Sequence, residues 1–137
     1  MTEIDAVDFD LDVTGYPLFT IATTSVGEGR DVRRKPGSRA YGHMRVAIAP
    51  HRGHLRYRFE WSVPDGILPL PYMRTASLDG VKAALREPLR GGGHVAFLCV
   101  SVLDGSYHET DTNEAAVSIA ARMAVKDALS RARLVEP

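Results

Sequence analysis

The sequence predicts an α+β fold, a two-layer sandwich in which a sheet of about four strands carries both of its helices on one face. Three observations predict it. Apolar and polar residues alternate from Gly42 to Ala49 and again from His54 to Trp61, the period of a half-buried strand. The run from Val95 to Leu103 is apolar on both faces, as a central strand is. Two stretches of helical spacing complete an order of strand, hairpin, helix, strand, helix, which suits helices gathered on one side.

Each element has its own signal. Residues 1 to 12 hold five carboxylates and no basic side chain, and read as a flexible acidic arm. Pro17 to Thr23 is a short strand. Gly42 to Ala49 sets Met44, Val46 and Ile48 on one face, while His54 to Trp61 sets Leu55, Tyr57, Phe59 and Trp61 on one face and His54, Arg56, Arg58 and Glu60 on the other. The turn Pro50-His51-Arg52-Gly53 then joins the two as a hairpin. A helix follows from about Thr75 to Glu87, with Leu78, Val81 and Leu85 as its stripe; Pro88 and Gly91-Gly92-Gly93 end it. Before the last helix, Asp111 and Glu114 have capping-box spacing. That helix runs from about Thr112 to Ala132 with Ala116, Ile119, Ala120 and Met123 as its stripe, and its small residues let it lie close to the sheet.

The whole chain, 1–137, reads as one domain. Its single cysteine, Cys99, lies in an apolar run and excludes an internal disulfide. No stretch reaches the ~20 apolar residues of a membrane span, and a cytoplasmic protein is the simplest expectation. The formal net charge of zero hides a segregation. Residues 1 to 29 carry six acidic side chains and no Lys or Arg, whereas residues 30 to 58 carry nine basic ones against Asp31. Such asymmetry marks either a polyanion-binding face or an internal acid–base pairing. If the two alternating strands pair, His43, Arg45, Arg56 and Arg58 form a basic sheet face.

Catalytic chemistry finds little support. Ser106, His108 and Asp111 are the residue types of a hydrolytic triad, but Asp111 reads as a cap and no nucleophile elbow surrounds the serine. His51 and His54 lack a third ligand at useful spacing. Gly91-Gly92-Gly93 lacks the Lys and Ser/Thr of a phosphate loop. No catalytic residue, cofactor, metal or bound nucleotide is expected. Tyr41, Gly42 and His43 suit loop-to-strand packing and RNA contact equally.

Several segments resemble a known family in order and spacing. Gly105-Ser106-Tyr107-His108 before a helix start is similar to the second tip loop of domain IV of elongation factor G. Gly29-Arg30 and then Gly37-Ser38-Arg39-Ala40-Tyr41-Gly42-His43 resemble the EGK and GGRGQYGH that open that domain. Phe59, Gly66-Ile67-Leu68-Pro69 and Tyr72 sit where the family has F-x-N-D-x-x-x-G-G-V-I-P-x-x-Y, and Leu134-Val135-Glu136-Pro137 resembles its closing LLEP. The chain departs at Pro36 and Ser38, where the family loop is glycine-rich, and at Asp104, where an aromatic is usual.

The resemblance implies a fold with a left-handed βαβ crossover, as in the second domain of ribosomal protein S5. It also implies a non-enzymatic RNA- or ribosome-binding module, since the family's tip enters the decoding region of the small ribosomal subunit. The matching tip residues are Arg33, Arg34, Lys35, Arg39, Tyr107 and His108, with rRNA or tRNA as partner. The alternative is a protein-interaction or regulatory domain that reuses the fold for an unidentified protein partner.

Overall fold

A computed structural model describes residues 5–137. The elements in chain order are β1 (Ala6–Phe9), β2 (Leu18–Ile21), β3 (Ser25–Arg33), β4 (Ala40–Pro50), β5 (Tyr57–Trp61), α1 (Tyr72–Arg86), β6 (His94–Val95), β7 (Leu98–Ser106), α2 (Glu114–Arg131) and β8 (Leu134–Val135). A five-stranded sheet has the order β1-β5-β7-β4-β3, and a three-stranded one the order β6-β2-β8. In the large sheet only β5 and β7 are parallel; α1 is the crossover between them, as parallel neighbours require. Both helices lie over one face, where Tyr57, Phe59, Met44, Val46, Ile48, Leu98 and Val100 are fully buried with Met73, Val81 and Leu85 of α1. Burying each such side chain contributes about 1.5–3 kcal/mol. Tyr57 keeps its hydroxyl satisfied by donating to the Val95 carbonyl at 2.7 Å. Burial first, and the charge of Asp10 second, push its pKa up to about 12.

The architecture is the α+β one expected, with five corrections in detail. First, β4 and β5 do not form a hairpin: β7 lies between them and pairs with both. An apolar strand is best used as a centre with neighbours on both edges. Second, the acidic segment is no free arm from Ala6 onward. β1 pairs with β5, Phe9 stacks on Tyr57 at 5.3 Å, and Leu11 and Val13 are buried. The first four residues of that expected arm fall outside the described residues. Third, β3 is a strand that periodicity does not announce, because Gly27 and Gly29 depress β-propensity. Fourth, the apolar run of 95–103 is cut at Phe97, whose φ of 59° is left-handed, so β6 turns off to the small sheet. Fifth, α2 is capped by Asn113, whose side chain accepts from the Ala116 N–H at 2.8 Å; Asp111 does not cap it.

The buried arc of α2 also differs from its expected stripe. Ala116, Val117, Ala120, Ala121, Ala124, Val125 and Ala128 are buried, while Ile119 and Met123 are exposed. The reason is contact on two sides, with α1 and with β3–β4, which rotates the alanines inward. Against the sheet the approach is backbone to backbone. A Cβ on Gly29 would lie 2.0 Å from the Ala120 carbonyl oxygen, and one on Gly42 would lie 2.2 Å from that of Ala116. At the far end the Glu28 N–H donates to Asp127 Oδ2 at 3.0 Å, and Ser25 Oγ donates to the Ala128 carbonyl at 2.7 Å.

Two outcomes test this packing. Gly29→Ala should destabilise the chain by about 3 kcal/mol, at the upper end for overpacking because backbone blocks the methyl. Gly91→Ala, with nothing within 4 Å of its added methyl, should change stability by less than about 0.5 kcal/mol. Urea melts compare the two, and equal effects would show that the seam yields. The Asp127 carboxyl is held below its ordinary value, chiefly by the Glu28 N–H and then by Arg131. A depressed carboxylate contributes stability above its unfolded pKa of about 3.9 and loses it as pH falls through the folded value. Asp127→Asn should therefore cost stability at neutral pH and lose that difference below about pH 4, as read by urea melts across pH.

Candidate nucleic-acid interface

The end of the large sheet where β3 turns into β4 and β7 leaves for α2 gathers the two loops singled out by sequence. In the first, Pro36 and Gly37 occupy the centre of a tight turn closed by Ser38 N–H to the Lys35 carbonyl at 2.9 Å. Gly37 has φ of 78°, and Pro then Gly is the pairing that a type II turn favours. Arg33, Arg34, Lys35 and Ser38, with Val32, line a shallow hollow of about 400 Å³. The second loop runs from Tyr107 to Asn113. Its His108 N–H donates to Thr112 Oγ1 at 2.7 Å.

A series of contacts joins the loops. Arg39 Nε donates to Asp111 Oδ2 at 3.3 Å, and the Tyr41 N–H donates to the Asp111 carbonyl at 2.9 Å. The Tyr41 hydroxyl lies 2.7 Å from Ser106 Oγ, which lies 2.8 Å from His43 Nδ1. His43 Nε2 in turn lies 3.1 Å from Glu28 Oε2. Three strands, β3, β4 and β7, are thereby pinned to one another at the tip. Ser106 is thus joined to His43, not to His108, and Asp111 serves as the latch for Arg39 in place of a helix cap. Tyr41 and His43 have their polar atoms committed inside this brace. The cross-chain roles of Glu28, Ser106 and Asp111 carried no sequence signal, because their partners are remote in the chain.

His108 is set differently. The N–H groups of Thr110 and Asp111 point at its Nδ1 from 3.3 and 3.2 Å. Backbone donors make that nitrogen an acceptor, which leaves Nε2 carrying the proton in the neutral ring. The ring is 55% exposed, and Tyr107 beside it is exposed as well. Both rings are available to stack on or donate to a ligand.

The cations divide into paired and unpaired groups. Arg33 is bonded to Asp31 at 3.1 Å and Arg39 to Asp111. Arg34 and Lys35 are exposed and have no carboxylate partner among the described residues. The basic sheet face expected from His43, Arg45, Arg56 and Arg58 does not form as a basic field. Arg56 is bonded to Asp10 at 3.0 Å, and Arg58 to Asp8 at 3.0 Å and Glu60 at 2.9 Å. Those last two carboxylates, Glu60 first, hold Arg58 more firmly protonated. His43 meets Glu28, and Arg45 stands in register with Glu28 and Asp104. The acids that neutralise this face come largely from β1 and the residue after it. Cys99, on the same face, is no activated thiol: burial first, then Glu60, push its pKa up. Among the described residues no group of three or more His, Cys, Asp or Glu is arranged to hold a metal. No described helix is long and apolar enough to cross a membrane.

Comparison with known proteins agrees with the fold. Residues 20–133 match the profile of the family described as elongation factor G, domain IV. Elongation factor G of Petrotoga mobilis is 36% identical over 122 residues, which cover 86% of this chain but only 17% of that protein. A crystal structure of a Thermus thermophilus protein superposes with a TM-score of 0.77 at 30% identity, covering 90% of this chain and 18% of the other. With a profile match over most of its length, the chain belongs to the elongation factor G domain IV family.

Proposed function

We propose that this chain is a non-enzymatic RNA-binding module of the translation apparatus whose tip contacts rRNA or tRNA at the small ribosomal subunit. The observation that carries the reading is the contrast between its cations. Across the sheet Arg56 and Arg58 are neutralised in place, but at the hairpin turn Arg34 and Lys35 have no carboxylate partner among the described residues, and Tyr107 and His108 are exposed on the other loop of the same end. Free cations attract phosphates, and flat exposed rings with a polar edge suit unpaired bases. Arg39 and Arg33 act mainly to shape the two loops through Asp111 and Asp31. Because the loops are cross-braced before any ligand arrives, little ordering cost is incurred on binding. The cytoplasm is where such a module would act.

The test is co-sedimentation with purified small ribosomal subunits across a salt series. Each neutralised phosphate adds about 0.7–0.9 to the slope of log affinity against log salt. Arg34→Ala with Lys35→Ala should flatten that slope by about 1.5. His108→Ala should cost about 1–3 kcal/mol with the slope nearly unchanged, as loss of a stacking or base-edge contact does. Arg58→Ala should alter neither. Failure of the wild-type chain to sediment with subunits even at low salt would end this reading.

A further inference from the structure

β3 is the last strand of the large sheet, and among the described residues only half of its outer edge is covered. One side pairs with β4 along its whole length, from Ser25 opposite Ile48 to Arg33 opposite Ala40. The Glu28 N–H turns the other way, to Asp127 Oδ2 of α2. Backbone groups in an antiparallel ladder alternate in direction, so the N–H and C=O of Arg30 and Val32 also face away from β4. Asp127 and the Ser25 bond to Ala128 close the first half of this edge. Beyond Gly29, no described residue outside β4 takes up the outward groups. Apolar side chains flank the open half. Ile119 and Met123 of α2 are 37% and 42% exposed, and Val32 is 37% exposed on the other face.

Charge selects the occupant. Arg34 and Lys35 have no described carboxylate partner, and Arg30 reaches Glu28 only at 4.0 Å. A second copy paired antiparallel about Val32 would set Arg30 opposite Arg34 of the other copy, and like charges opposite one another repel. A nucleic acid would leave the aligned N–H and C=O groups and the apolar flank unused. We propose that Arg30–Arg33, flanked by Ile119 and Met123, is a docking edge for an extended acidic segment of a partner protein, which adds to the large sheet as a further strand. This edge excludes His108 but adjoins the tip at Arg34 and Lys35, and peptide binding to it does not require RNA at the tip.

A fluorescent peptide of about ten residues alternating Val and Glu is the probe, since alternation presents one apolar and one acidic face. Anisotropy titration with the full chain should show saturable binding, and a Val–Lys peptide should show none. Val32→Pro removes an outward N–H but no bond to β4, and should weaken binding about tenfold. Arg30→Glu should weaken it by a similar factor. Methylating alternate amides of the peptide should abolish binding and leaves the protein untouched, so this arm stands even if Val32→Pro fails to fold. Absence of binding at millimolar peptide overturns the proposal, as does equal affinity for the methylated peptide. Retention of peptide binding in Arg30→Glu would remove the requirement for an acidic segment.

Discussion

The close approach of α2 to the β3–β4 hairpin is the constraint on which the rest depends. Where Gly29 and Gly42 sit under Ala120 and Ala116, helix backbone and sheet backbone touch with no side chain between them. An ordinary layer of leucines would hold helix and sheet a side-chain layer apart; the glycine seam brings the helix nearer. The consequence appears at both ends. At the far end Asp127 reaches the Glu28 N–H. At the near end the chain entering α2 lies beside the start of β4, where the Tyr41 N–H meets the Asp111 carbonyl. The brace between the tip loops is thus a product of packing in the middle of the molecule.

Charge pairing does the second part of the work. The acidic and basic halves of the first sixty residues fold against one another, with Asp8 and Asp10 on Arg58 and Arg56. These pairs are partly exposed, and each contributes little to stability, about 0–1 kcal/mol. Their effect is on the field. They remove positive potential from the sheet and leave it at the hairpin turn, so that an anion would be drawn to one end of the molecule. β1 is fixed in place, because Phe9 is stacked in the core.

Much of the fold was legible because hydrophobic periodicity reports burial directly. Tyr57 and Phe59, Met44, Val46 and Ile48, and the stripe of Val81 and Leu85 all lie where alternation or helical spacing puts them. Periodicity is silent on neighbours, so nothing in the local pattern showed that β7 separates β4 from β5. Gly27 and Gly29 concealed β3, since the lack of a side chain that permits the helix to approach also erases the strand signal. At the site, the words Gly105-Ser106-Tyr107-His108 and the basic loop were readable. Which cations are free was not. Asp10 lies 46 residues from Arg56 in the chain and Asp8 lies 50 from Arg58, and only the folded register brings them together. Asp111 likewise read as a cap by spacing, yet Asn113 stands two residues nearer the helix and takes that role.

Site-directed photo-cross-linking within a mixture of intact small ribosomal subunits tests the tip as an RNA-facing element most directly. A photoreactive residue at Arg34 should form cross-links to ribosomal RNA, while the same residue at Arg90, beyond the C-terminal end of α1, should form few. Cross-links confined to ribosomal proteins, or equal RNA yields from the two positions, would contradict it.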